Sequence, residues 1–407
     1  MGIDIDKTTF EAADFKAFGK RLEQNLESLQ ALLARPGFGA GPASIGSEME
    51  MYIVDASGYP LYANEEIEEE AKDPQLTLEL NRYNLEFNLS PYALDQSAFA
   101  KTEAEILAKL QQLRGVAARH GGRIVPIGIL PTLRKTDFGP HCITRRRRYH
   151  ALVEQLIRRR GDKFHIEING DDPLKLELAD ITLEGANTSF QVHYRVTPGN
   201  YADTFNAMQL VTPLAVAISA NSPTLFGHRL WQETRVPLFK QSIDTRHTDR
   251  YGWREPARVN FGQGWARRGA GELFQEVVRI YPPLLPVCSD VSPSQEQTDA
   301  VTPSLAELRL HQGTVWLWNR PIYDDAGGGH LRIEMRALPA GPTAIDMVAS
   351  AAFMIGLAEG LRPRINDLLP AQPFAIAEYN FYRAAQHGLD ARLLWPDAGQ
   401  SGYRERG

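Results

Sequence analysis

The chain runs to 407 residues, 43% of them hydrophobic and 23% charged, with a formal net charge of -6. That length and apolar share suffice for a large core, in one big domain or two intermediate ones, and the acidic balance argues against sequence-blind nucleic-acid binding. Two cysteines, Cys142 and Cys288, are too few for a disulfide framework and lack metal-type spacing, which fits a reducing, cytoplasmic location.

The opening MGIDIDKTTFEAADFK has no basic stretch followed by an apolar one, so no signal peptide is expected. Phe15, Phe18, Leu22, Leu26, Leu29 and Leu33 recur at three- and four-residue spacing, predicting an amphipathic helix that stops at Arg35-Pro36-Gly37. A strand follows in IGSEMEMYIVD. A second helix is expected over residues 97–120, closing at Gly121-Gly122 and leading into an apolar strand, RIVPIGIL. Tyr149, Leu152, Val153, Leu156 and Ile157 mark another helix that ends at Gly161. The apolar stretches near 200–220 and 343–361 read as buried helices, too short and too interrupted to span a bilayer. No repeat or Pro/Ser-rich linker divides the chain. The expectation is therefore one catalytic domain over 1–407, with a helix in 1–40 and C-terminal helices in 343–395 packed on it. The irregular mixture of helices and neighbouring strands points to an α+β fold built on a curved, mainly antiparallel sheet.

Strand side chains alternate between faces, so Ile45, Met49, Met51 and Ile53 share one side of their strand and Glu48, Glu50 and Tyr52 the other. At about 3.3 Å per residue the two acids stand roughly 6.6 Å apart, and at an effective dielectric near 20 they repel by about 2.5 kcal/mol. Solvent, a cation or a row of basic groups must offset that repulsion. Three further strands show the same division. Leu85, Phe87 and Leu89 oppose Asn84, Glu86 and Asn88; Phe190, Val192, Tyr194 and Val196 oppose Ser189, Gln191, His193 and Arg195; Leu331, Ile333 and Met335 oppose Arg332, Glu334 and Arg336. Taken singly, each polar face reads as a solvated edge, a satisfied histidine or an ion-pair ladder. If the four strands share a sheet, their polar groups converge in one bowl. Carboxylates and a neutral imidazole there would suit Mg²⁺ or Mn²⁺, and the arginines would suit an anionic or phosphoryl group. No GxxxxGK[ST] or GxGxxG loop is present, so ATP would be held mainly through its metals.

Taken in order, ExE in IGSEMEMY, NLEFNLSP, GANTSFQVHY, ISANSPTLFGHRLWQETR, RIEMR and AEYNFYRAAQHGLDA resemble the glutamate-cysteine ligase family 2 and related bacterial carboxylate-amine ligases, over roughly residues 45–390. The resemblance implies a glutamine synthetase-like catalytic fold and an ATP-dependent ligation of glutamate to an amine such as cysteine through an acyl phosphate. It implies metal ligands at Glu48, Glu50, Glu86, His193 and Glu334. Arg336 and Glu86 would act in catalysis, and Gln191, Arg235 and Arg332 would meet substrate or nucleotide. FQVHY is neither the HxH nor the QxN form found in this family, which leaves the amine least defined. The expected partners are small molecules, with no nucleic acid, no membrane, and a homo-oligomer as a possibility. A ligase with another substrate pair, a hydrolase with paired carboxylates and a non-catalytic binding protein are the alternatives. The basic runs at 145–148 and 158–160 read as helix faces, the acidic run at 65–73 as a solvated helix or loop, and Trp316 and Trp318 as core or interface.

Overall fold

The computed structural model describes residues 7–247, 254–291, 302–397 and 402–407. Its centre is an eight-stranded, curled antiparallel sheet. In chain order the strands introduced here are β1 (Ser44–Val54), β2 (Leu76–Leu78), β3 (Asn84–Asn88), β4 (Tyr92–Ala93), β5 (Arg123–Val125), β6 (Phe164–Ile168), β7 (Leu174–Leu178), β8 (Phe190–Val196), β9 (Asn319–Asp324) and β10 (His330–Met335). The large sheet has the order β9-β10-β8-β1-β3-β2, with β4 and β5 also pairing with β1; β6 and β7 form a separate hairpin. The four strands with divided faces are thus consecutive neighbours, β10-β8-β1-β3.

The helices are α1 (Ala12–Leu33), α2 (Asn64–Ala71), α3 (Ala98–Arg119), α4 (Arg147–Arg160), α5 (Tyr201–Ser219), α6 (Arg235–Ser242), α7 (Ala270–Ile280), α8 (Ala306–Gln312), α9 (Ala344–Leu361) and α10 (Phe374–His387). Helix α1 starts in a capping box between Glu11 and Asp14 and buries the stripe Phe18, Leu22, Leu26 and Leu29, as its spacing requires. Gly161 ends α4 at φ 63, a left-handed position that a residue with a Cβ adopts at a cost.

The oily faces of the sheet join one main core: Met49 and Met51 from β1, Phe87 from β3, Phe190 and Val192 from β8, and Ile333 and Met335 from β10, backed by Phe205 and Met208 of α5. Truncating Phe190, which is 1% exposed, to Ala removes about 3–5 kcal/mol. A second core lies at one end of the polar face, where Tyr52 and Tyr83 stack and meet Ile166, Ile168, Leu183 and Leu238. Tyr52 therefore leaves the acids' company for a buried position, its hydroxyl donating to the Ala186 carbonyl at 2.5 Å.

The structure departs from three expectations. RIVPIGIL forms a strand only over Arg123–Val125, because Pro126 has no N–H to continue the ladder. Helix α9 is not wholly buried: Met347, Val348, Ala351, Met354 and Ile355 face the core while Ile345 and Phe353 are exposed. The helical stretch Ala344–Ala371 also reaches the length and apolarity of a bilayer-crossing segment, contrary to the length reading, although one face of it packs on α5. Trp318 packs edge-on against Phe239 in the core, as anticipated. The acidic run becomes α2, and it faces the basic run: Arg145 and Arg146 lie 3.9 and 3.7 Å from Glu65 and Glu68. Exposed pairs of this kind contribute only tenths of a kcal/mol, but they give the first two arginines of the basic run acidic neighbours in α2.

Candidate functional site

Antiparallel register decides which polar residues meet. Glu50 stands directly opposite Glu86 across β1 and β3; Glu48 lies opposite Asn88 on one side and Gln191 on the other. His193 of β8 faces Glu334 of β10, and Arg320 of β9 faces the same Glu334. On β1 the residue opposite His193 is Gly46, so no side chain blocks the imidazole from leaning to Glu48. Its Nε2 lies 3.0 Å from Glu48 Oε1 and 3.9 Å from Glu334 Oε1.

Two sets of ligand-type atoms result, each with all members within 4.8 Å of one another: Glu48, His193 and Glu334, and Glu50, Glu79 and Glu86. All five ligands named from the sequence fall in these sets. Glu79 was missed, although QLTLEL alternates Leu76 and Leu78 with Thr77 and Glu79 and offered the same signal. Glu184 and Arg320 were missed as well. Glu184 sits in the turn Thr182–Ala186, where no periodicity marks it. Arg320 acquires its role only by facing Glu334.

The two sets differ electrostatically. In the first, burial acts to raise the Glu48 carboxyl but the adjacent His193 outweighs it and holds Glu48 at about 2. Burial likewise opposes ionisation of Glu334, which is 1% exposed, yet the guanidinium groups of Arg320 and Arg336 keep it well below the usual carboxylate range. Arg320 grips Glu334 through Nε and through Nη2, the latter at 2.9 Å, and Arg336 Nη1 approaches at 3.0 Å. The second set has too few cations. Burial and then the charge of Glu48 push Glu86 up to about 8. Burial, followed by Glu86 and Glu50, raises Glu79 well above its ordinary value, and burial raises Glu50 despite Arg336. Burial and Glu50 bring Glu184 to about 8. A buried acid cluster of this kind holds protons or a divalent cation, and three convergent carboxylates are the donor set of a hard cation.

The arginines and the glutamine organise the same face. Gln191 donates through Nε2 to Glu50 Oε1 at 2.9 Å while its Oε1 accepts from Arg336, which ties the two sets together. Arg332 pairs with Asp324 at 2.9 Å and lines a cavity of about 580 Å³ beside Glu48, His193, Glu334 and Arg320. That volume is in the range of small-molecule and cofactor pockets. Arg235 is turned away from that cavity: buried, it donates to the carbonyls of Ala337 and Leu338 at 3.3 Å and lies 3.6 Å from Glu233. It lines instead a small recess of about 30 Å³ with Glu50, Glu184, Asn187, Trp318 and Arg336. In that recess Arg235 Nε, Asn187 Oδ1 and Trp318 Nε1 have no hydrogen-bond partner among the described residues. The structure thus brings Glu48, Glu50, Glu86, Gln191, His193, Glu334 and Arg336 together, places Arg332 at the cavity wall and Arg235 at the far end.

Comparisons with known proteins bear on the fold and the family. A search of curated proteins finds no match. Among solved structures, the chain resembles a glutamate–cysteine ligase from Francisella tularensis in complex with AMP, at TM-score 0.52 and 12% identity, covering 89% of this chain and 75% of that one. A bifunctional glutathione synthetase from Pasteurella multocida aligns at TM-score 0.40 and 12% identity, over 84% of this chain and 42% of that one. The first likeness establishes the fold, that of the glutamine synthetase-like ligases. The model of glutamate-cysteine ligase family 2 matches residues 44–403, nearly the whole chain. The chain therefore belongs to glutamate-cysteine ligase family 2, and it is an ATP-dependent carboxylate-amine ligase.

Proposed function

We propose that the bowl joins the side-chain carboxylate of glutamate to the amino group of cysteine, with Mg²⁺ or Mn²⁺ held by Glu48, His193 and Glu334 and by Glu50, Glu79 and Glu86. The observation that carries this reading is the pair of ligand sets side by side on one sheet face, flanked by Arg320 and Arg336. Divalent ions bound there would screen the phosphate charges of ATP and polarise the transferring group.

The chain's own residues divide the remaining work. Arg332 and Arg320 line the bowl's cavity of about 580 Å³ and are assigned to nucleotide phosphates. Arg336, oriented by Gln191, lies between the two sets and is assigned to the phosphoryl group as it passes from ATP to the glutamate carboxylate, giving ADP and an acyl phosphate. The amine then attacks the acyl carbon, the amide C–N bond forms and inorganic phosphate leaves. Arg235, at the recess, is assigned to a substrate carboxylate, with Asn187 and Glu184 available to an ammonium group. Glu86 is assigned first as a ligand. A carboxylate engaged with a cation is a poor base, so the departing phosphate takes the amine's proton.

The test is ADP release with Mg²⁺, ATP and a panel of amino-acid pairs, with the amide identified by mass. Release that needs both glutamate and cysteine and yields γ-glutamylcysteine is the expected result. Turnover of other pairs, with this one silent, would reject the substrate assignment, and Glu334→Gln at wild-type turnover would reject the metal assignment.

A further inference from the structure

A second cavity, of about 710 Å³, lies outside the bowl on the outer face of α6 and of the β6–β7 hairpin. Helix α6 turns Arg235 and Phe239 inward to the recess and Pro237, Lys240 and Gln241 outward to this cavity. The hairpin contributes by the same alternation as the main sheet: Phe164 and Ile166 are buried, while His165 and Glu167 face outward. Gln241 locks helix to hairpin, accepting from the Glu167 N–H at 2.6 Å and donating to the Glu167 carbonyl at 3.0 Å. The walls are therefore fixed elements.

Arg160, Lys240, Arg246 and Arg254 bring four full cations to the lining, against two carboxylates, Glu167 and Asp244. Both acids already have partners: Asp244 takes two bonds from Arg246 at 2.8 Å, and Glu167 pairs with Lys175 at 2.6 Å. Arg160 is held by neutral acceptors, the carbonyls of Arg246 at 2.7 Å, Asp244 at 3.4 Å and Lys163 at 3.0 Å. Lys240 donates to the Tyr382 hydroxyl at 2.5 Å, and its Nζ lies 4.8 Å from the centre of that ring. Among the described residues neither Arg160 nor Lys240 forms an ion pair with a carboxylate. These contacts hold the two groups in place through neutral partners, the exposed Asp162 being an acid whose charge Arg160 feels without a direct ion pair, and such fixing is the preorganisation an anion site needs. Trp231, anchored through Nε1 to Asn169 at 2.8 Å, adds a flat apolar wall.

We propose that this cavity binds a small polyanion, a carboxylate- or phosphate-bearing molecule with at least two negative charges, at a site separate from the ligase bowl. The test is calorimetric titration of the full chain with its bowl saturated by ADP, using inorganic phosphate in one arm and tricarballylate in the other. Saturable binding of either probe with Kd below about 5 mM is expected, and the tighter probe assigns the anion class. Lys240→Met and Arg160→Gln should each weaken it at least about fivefold, and Arg332→Gln in the bowl should leave it unchanged. Glu167→Gln, an exposed change that removes an acid from the wall, should tighten it even if the two cation variants fold poorly. No saturable binding of either probe, affinity unmoved by Glu167→Gln, or loss of binding in Arg332→Gln would each overturn the proposal.

Discussion

Replacing Glu86 by Gln should stabilise the metal-free protein while abolishing turnover. Burial, and then the charge of the neighbouring Glu48, push the Glu86 carboxyl up to about 8, against 4.5 for an unperturbed one. Because the folded value is raised, folding incurs no penalty below 4.5. As pH rises from there to 8 the unfolded chain loses the proton first, and each pH unit costs the folded state about 1.4 kcal/mol. The cost is below about 1 kcal/mol at pH 5, about 3 kcal/mol at pH 7 and about 5 kcal/mol above pH 8. Gln is neutral at all these values, and its Oε1 can still accept from Thr77 Oγ1 and Asn88 Nδ2, which lie 3.2 and 3.0 Å from Glu86 Oε1. In EDTA, unfolding followed from pH 5 to 8 should show the variant gaining on wild type by these amounts. For a two-state chain of this size, about 3 kcal/mol moves the midpoint by 3–4 °C. Excess Mg²⁺ should shrink or reverse the difference, since only wild type offers all three carboxylates. A difference that does not change with pH, or a variant less stable than wild type in EDTA at pH 8, would refute the reading of this cluster as under-neutralised.

Arg336→Lys should lower turnover by about 100-fold or more with little change in folding, because Arg336 holds Gln191 and Glu334 through Nη1 alone and an ammonium, a single-point donor on a shorter reach, has no second nitrogen to offer a phosphoryl oxygen; steady-state ADP release measures it. Tyr52→Phe leaves the Ala186 carbonyl without its buried donor and should cost about 1–3 kcal/mol in denaturant unfolding without changing the ligand set. Gly185→Ala drives a Cβ into Asn81 Nδ2 and to 2.5 Å from its Cγ, so a midpoint drop of several degrees is expected in thermal unfolding. Neutralising Arg145 and Arg146 together should change stability by less than about 1 kcal/mol, since both pairs are surface contacts.

The divided faces of β1, β3, β8 and β10 were readable locally, because alternation with a period of two is a property of each strand alone. So were α1, α3 and α4, whose apolar stripes and glycine stops lie within one helix length. Alternation also contained Glu79, which escaped notice because β2 is only three residues long. The strand's end at Pro126 was legible in the proline itself, which has no N–H for the ladder, whereas the burial of α9 depends on what packs alongside.

Residue types and spacing by themselves determined that this chain carries four half-polar strands rich in carboxylate, imidazole and guanidinium, and the order of its motifs determined the family. Only the tertiary structure decided that these strands are neighbours, that Glu50 faces Glu86 and His193 faces Glu334, and that Arg320 and Glu184 join them while Tyr52 leaves. The reason is separation along the chain: His193 and Glu48 are 145 positions apart, and pairing across such a distance is fixed by register and packing, which no local period encodes.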